Sequence, residues 1–250
     1  ELLTTERDAY GIYVQSPFPK ENRRILIGSD VSSRYTRRNR AEYRKIAGYI
    51  ARCVWQRQGN YMVFFPSYRL MEDVLQVYEE EFSVDWVRCV CQTPDMTEQE
   101  REGFLEEFQE REGTLVGFCV LGGIFSEGVD LTGESLIGAV IVGTGLPQIG
   151  SQREILKEYY DKKNHCGFDY AYRYPGMNKV LQAAGRVIRS ETDKGVALLI
   201  DERFCEERFA RLLPRHYRVR RADSLSQVGA LLSAFWAQPA QQPPQEERGQ

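Results

Sequence analysis

Gln182, Arg186 and Arg189 stand in the run QAAGRVIRS (182–190) at intervals of four and three. On a helix those intervals bring three side chains to one face. Two neighbouring guanidiniums repel, so either an anionic ligand or a carboxylate elsewhere in the fold faces them. A guanidinium stays charged at any working pH and its planar fork fits phosphate oxygens bidentately. A glutamine one turn earlier can bond a phosphate oxygen or a water. The structural alternative is a network tying Arg186 or Arg189 to Glu127 or Asp130. Those acids lie in LGGIFSEGVDL (121–131), where Gly122, Gly123 and Gly128 surround Ser126, Glu127 and Asp130. Glycines let backbone approach a ligand closely, and carboxylates three apart can pair with arginine or hold a metal-bound phosphate. A tight turn carrying ordinary surface acids fits the same residues. A third stretch, FFPSYRL (64–70), directly follows an apolar run.

The elements that position these stretches follow from periodicity. RRILIG (23–28), YMVFF (61–65), DWVRCVC (85–91), TLVGFCV (114–120), LIGAVIV (136–142) and GVALLI (195–200) read as six strands. Several are apolar on both faces, as in a covered parallel sheet. Residues 40–57 place Tyr43, Ile46, Ala47, Ile50 and Val54 at helical spacing, and 68–80 does so with Leu70, Val74 and Val77. Thr97 and Glu100 form a capping box before the helix carrying Phe104, Leu105 and Phe108. Helices are also expected at 152–162, 176–190, 203–212 and 224–236. The alternation predicts a three-layer α/β domain with a mostly parallel central sheet covered by helices on both faces. In such sheets ligands sit beyond the carboxyl ends of the strands; FFPSYRL and LGGIFSEGVDL directly follow strands, and the 182–190 helix directly precedes the strand 195–200.

Bulk composition excludes little. The 250 residues are 42% hydrophobic and 28% charged, with a formal net charge of −3, which fits a soluble globular protein and carries no bulk signal for nucleic acid. A groove responds to its own lining, so a local basic patch such as SSRYTRRNR (32–40) remains open, either as a nucleic-acid lining through Arg34 and Arg37 or as a solvated loop. The aromatic-rich insertion YYDKKNHCGFDYAYRYPG (159–176) is open in the same way, to base stacking or to packing. The six cysteines are scattered without a zinc spacing, so no metal site is expected, and free thiols suit a reducing cytoplasm. No apolar run reaches membrane-spanning length. The proline- and glutamine-rich end, 237–250, is expected to be disordered. The chain starts at Glu1 without methionine and is expected to be a piece of something longer. It contains no G-x-x-x-x-G-K-[ST] phosphate loop, so a triphosphate reached by the arginines needs its cradle from another domain.

Taken together, the three stretches resemble the second motor domain of the XPD/DinG family of superfamily 2 DNA helicases. FFPSY (64–68) is similar to that family's motif IV, FSEGVDL (125–131) to motif V and QAAGRVIRS to motif VI. TDKGVALLIDERF (192–204) resembles the segment that follows, and SPFPKENRRILI (16–27) the entry from the first motor domain. The resemblance runs over about residues 11–213. It implies a RecA-like domain over 1–215, beyond which the residue pattern leads to the expectation of a packed C-terminal helix over 216–236 and a tail over 237–250. It implies further that ATP and Mg2+ are held mainly by an absent first motor domain, which in many members carries an iron–sulfur cluster. On this resemblance Gln182, Arg186 and Arg189 reach the γ-phosphate, one arginine serving as the finger. Glu127, Gly128 and Asp130 lie near the nucleotide. Ser67, Tyr68, Arg69 and Ser126 contact single-stranded DNA, with Arg34 and Arg37 as further lining. The expectation is an ATP-dependent DNA helicase half, monomeric and cytoplasmic, inactive alone and serving DNA repair. The alternative is a non-catalytic docking or nucleic-acid-binding module.

Overall fold

The computed structural model describes residues 18–109, 113–125, 135–187 and 192–241. Seven strands, β1 (Arg23–Gly28), β2 (Asn60–Phe65), β3 (Val87–Cys91), β4 (Thr114–Val120), β5 (Gly138–Val142), β6 (Gly195–Ile200) and β7 (Val219–Ala222), form one sheet in the order β3-β4-β2-β5-β6-β1-β7. Every pairing is parallel. The helices are α1 (Arg40–Val54), α2 (Tyr68–Glu81), α3 (Glu98–Glu106), α4 (Ser151–Asn164), α5 (Tyr174–Ala184), α6 (Glu207–Ala210) and α7 (Leu225–Trp236).

Strand side chains alternate between two cores, as the two-residue period of extended chain requires. Tyr61, Val63 and Phe65 of β2 join Val116, Val140 and Leu198 in a core shared with Ile50 of α1, Val74 of α2 and Leu232 of α7. Met62 and Phe64 point the other way, with Ile141, Leu199, Phe104 of α3, Val180 of α5 and Phe209 of α6. The sheet is therefore covered on both sides, which is why its central strands are apolar throughout.

Local sequence starts the helices. Asn39 accepts from Glu42 N (3.0 Å) at the head of α1, and the Thr97–Glu100 capping box is present at α3. Ser224 accepts from Gln227 N at α7.

Three features differ from the sequence expectation, the first being that the expected helix 203–212 is a 3-10 turn at Glu202–Cys205 followed by the short α6. β7 is a seventh strand within a segment that reads only as basic. It has four residues at the sheet edge, with Arg220 and Arg221 half of its length, and short charged strands are how sheet edges avoid pairing with other chains. The expected helix 176–190 starts at Tyr174, directly after a π-helical turn at Asp169–Arg173, and ends at Ala184.

Candidate nucleotide and nucleic-acid interface

One group of candidate residues lies over the α3/α5 face. Phe125 is 1% exposed and stacks on Phe104 of α3 with ring centroids 4.2 Å apart, which fixes the entry of the glycine-rich loop. Gly122 takes φ +77°, and the Lys179 side chain of α5 lies where a Cβ would project. The positive φ favours glycine there, while an added Cβ would displace only the flexible end of Lys179. The start of α5 is pressed just as closely on the loop after β5: a Cβ on Gly176 would stand 2.7 Å from the Thr144 carbonyl oxygen.

Gln182 and Arg186 do not share one side of a helix. Regular helix ends at Ala184, Gly185 is its C-cap, and Arg186 lies in the turn beyond. Gln182 is exposed, whereas Arg186 is 8% exposed. The Arg186 charge is felt at Cys119 on β4. Burial pushes that thiol well above its ordinary range, and the guanidinium acts against the rise. Arg186 is thus set into the domain and Gln182 faces out. Arg189, Ser126, Glu127, Gly128 and Asp130 lie outside the described residues.

A second group lies along the carboxyl ends of the strands. β2 ends at Phe65, and Ser67 caps α2, accepting from Leu70 N at 3.4 Å. Tyr68 OH accepts from Gln92 Nε2 (2.9 Å), and Gln92 Oε1 accepts from Val120 N (2.9 Å). One glutamine thereby ties the ends of β3, β4 and the α2 start together. In the sequence, only the place of Gln92 directly after β3 marks it. Arg69 is exposed and forms no ion pair among the described residues. It and Arg38 both act electrostatically on the Tyr43 hydroxyl. Burial first, then a hydrogen bond to Asp73, raise that hydroxyl's pKa, and the two guanidiniums oppose the rise. Arg38 also lies over the Tyr35 ring, 5.5 Å from its centroid.

Arg34 and Arg37 belong to the same rim but are occupied. Arg34 pairs with Glu206 (2.7 Å) and Glu202 (3.2 Å), and Arg37 with Glu42 and Glu202 (each 3.5 Å). Glu42 is buried and also accepts from the Ser32 amide. Behind them Asp201, 0% exposed, accepts from Ser33 N (2.9 Å), Ser33 Oγ (2.7 Å) and Arg203 Nε (2.7 Å) and Nη2 (2.8 Å). Burial works to raise the Asp201 pKa. The Arg203 guanidinium and the two Ser33 donors outweigh it and hold the carboxyl below its ordinary range. This cluster pins the 32–37 loop to the end of β6. The Ser33 loop in turn lies within reach of Pro66 across Gly143, since a Cβ on Gly143 would meet both.

No group of three or more His, Cys, Asp or Glu that could hold a metal occurs among the described residues. Cys89 and Cys91 are free, and burial pushes their thiols up to about 12 and about 11, so neither is a ready thiolate ligand. No helix among the described residues is long and apolar enough to cross a membrane.

An all-parallel sheet between two helical layers, with arginine-bearing turns on one face and a basic rim at the strand ends, defines a RecA-like α/β domain. A family model described as the helicase C-terminal domain matches residues 50–220, and the chain belongs to that family. Within it the chain aligns with XPD-type proteins. It is 28% identical over 206 residues to a probable ATP-dependent helicase of Methanocaldococcus jannaschii, covering 78% of this chain and 31% of that protein. It is 29% identical over 189 residues to the ATP-dependent DNA helicase XPD of Sulfolobus acidocaldarius, covering 71% and 31%. The chain therefore spans under a third of the length of these relatives. A solved XPD helicase superposes with a TM-score of 0.64 at 24% identity, covering 80% of this chain and 35% of that one, a likeness of fold.

Proposed function

We propose that the chain is the second motor domain of an ATP-dependent DNA helicase, completing the nucleotide site of a first motor domain and carrying part of a single-strand track. The observation that carries this is the division of its candidate residues into two surfaces. Gln182 is exposed on α5, while Ser67, Tyr68, Arg38 and Arg69 line the strand ends, with Gly123 beside the Gln92 that bonds Tyr68. Membership of the helicase C-terminal domain family supports the same reading.

On this reading Arg186 or Arg189 supplies the finger that neutralises charge as the γ-phosphoryl group passes to water, a contribution of about 10³–10⁵ in rate where such fingers act. Gln182 orients a phosphate oxygen or the water, and Glu127, Gly128 and Asp130 border the nucleotide. Mg2+ would supply charge neutralisation at the phosphates and would be held by residues of the first domain, as would any iron–sulfur cluster. Ser67, Tyr68, Arg69 and Ser126 hold the DNA backbone without reading sequence. Arg34 and Arg37 serve there only by sharing their carboxylate partners. We assign the motor domain to 1–215 together with 216–236, whose β7 completes the sheet and whose Leu232 joins its core, and a tail to 237–250, in a monomeric cytoplasmic protein of DNA repair.

The test is ATP hydrolysis by the chain alone and with a first motor domain supplied. Activity only in the combination, lost with Arg189→Ala while nucleotide binding persists, is expected. Turnover by the chain alone, proportional to its concentration and lost in Arg186→Ala, would contradict the need for a partner domain.

A further inference from the structure

The insertion between β5 and α5 builds a cavity that the two surfaces above do not use. It measures about 670 Å³ and is lined by Asp161, His165, Phe168, Asp169, Arg173 and Arg211, with Cys166, Glu207 and Arg208 completing it. That size lies within the ordinary range of small-ligand pockets. It stands beyond the carboxyl ends of the strands. Asp169–Arg173 leads directly into α5, whose Gly176 packs on Thr144 just after β5, and α6 follows β6.

Three guanidiniums face three carboxylates here, but two of the guanidiniums share one carboxylate. Asp169 is buried and shared by two guanidiniums, Arg173 and Arg211 (the latter at 3.5 Å). Asp161 is engaged by the Gly167 amide (2.8 Å) and lies 3.9 Å from Lys157. Glu207, exposed at the start of α6, is the remaining acid. Arg208 is exposed and enters no ion pair among the described residues, and Arg211 is 57% exposed. Arg173 is only 6% exposed, and its Nε has no hydrogen-bond partner among the described residues. Burial and then the charges of Arg208 and Arg211 lower its pKa, so the three guanidiniums act on one another.

Beside these donors is apolar aromatic surface. Phe168 is 41% exposed and stacks on Tyr172 at 5.3 Å, and Arg173 lies 5.3 Å from the rings of both Phe168 and Phe209. The backbone here is irregular for a reason that favours a site: Asp169–Arg173 is a π-helical turn, a feature common at functional positions. His165 at the end of α4 takes the left-handed region with φ 58°.

We infer that this cavity binds a nucleotide unit, its phosphate held by Arg208 and Arg211 over the buried Arg173 and its base packed against Phe168. Forked guanidiniums suit phosphate, and a ring beside them suits any base without reading its identity. The inference rests on the single-strand reading only for the source of the nucleotide, a strand passing over the same edge. A free nucleotide has the same chemistry.

The experiment follows the Nε–Hε resonances of Arg173, Arg208 and Arg211 in the intact chain. Thymidine 5′-monophosphate, thymidine, inorganic phosphate and a phosphoserine peptide are titrated separately. Saturable shifts with the monophosphate are expected, with affinity about tenfold above inorganic phosphate, the scale of one base against an aromatic ring. Phe168→Ala should erase that margin, and the exposed pair Arg208→Ala with Arg211→Ala should remove binding. No shift with the monophosphate, affinity equal to that for inorganic phosphate, or preference for the phosphopeptide would each overturn the inference. An oligothymidylate titration separates the two proposals. If the strand binds but the cavity resonances stay fixed with every nucleotide, the cavity assignment falls and the track stands. If the monophosphate fills the cavity and the strand does not bind, the track falls and the cavity stands.

Discussion

Replacing Asp201 by alanine tests how the fold holds its basic rim. The carboxylate is fully buried and accepts five hydrogen bonds, two from Ser33, one from the Arg203 amide and two from the Arg203 guanidinium. Its removal leaves the Arg203 guanidinium, 15% exposed, without its counter-charge, and strips the Ser33 amide of its acceptor. Breaking a buried pair from one side costs about 3–5 kcal/mol. Arg203 retains Ser33 Oγ at 2.9 Å and some access to water, so the lower end, about 3 kcal/mol, is expected. For a domain of this size that is a fall in Tm of roughly 6–12 °C. Urea unfolding should show a lower midpoint with an unchanged slope. Asp201→Asn keeps the shape and two acceptor lone pairs and should lose roughly half as much. A loss under about 0.5 kcal/mol in Asp201→Ala, the range of ordinary surface changes, would refute the claim that this cluster anchors the 32–37 loop.

The other expectations come from the same geometry. Because the folded-state pKa of Asp201 is depressed, its contribution is present above the unfolded carboxylate pKa of about 4 and is lost as pH falls through the lower folded value. The stability gap between wild type and Asp201→Asn, followed by urea midpoints, should therefore be constant from neutral pH to about 5 and shrink only in stronger acid. A gap that instead widens in acid would contradict the sign. Ser67→Ala removes the cap of α2 and should cost about 1 kcal/mol. If Ser67 also touches DNA, single-strand affinity should fall more than in Thr97→Ala, which cuts the cap of α3 alone. Gly176→Ala drives a Cβ to 2.7 Å from Thr144 O and 3.0 Å from Gly145 C. Thermal unfolding should show a loss of about 1–3 kcal/mol despite alanine's better helix propensity.

The sheet was legible in the sequence because burial on both faces leaves a plain mark. Runs such as YMVFF and GVALLI have no polar position to confuse the period. β7 was not legible, since two arginines in four residues remove any apolar pattern and pairing with β1 alone makes it a strand. The motif VI spacing misled for a physical reason: intervals of four and three imply one face only while the helix continues, and Gly185 ends it first. The basic loop 32–40 fits groove lining and a solvated loop equally well in sequence. It supplies free charge through Arg38, while Arg34 and Arg37 are bound to Glu202, Glu206 and Glu42, acids distant or unremarkable in sequence. Gln92 and Lys179 show the same limit, since their roles come from neighbours that only the topology brings near.

The claim that this domain carries part of a single-strand track is tested most directly by titrating a fluorescent oligothymidylate against the chain at several salt concentrations, with a matched duplex beside it. The account predicts preference for the single strand and an affinity that falls with salt, at about 0.7 in logarithmic slope per phosphate neutralised. It also predicts a slope smaller by about that amount in Arg69→Ala. Equal or stronger duplex binding, or no binding of the single strand at low salt, would contradict it.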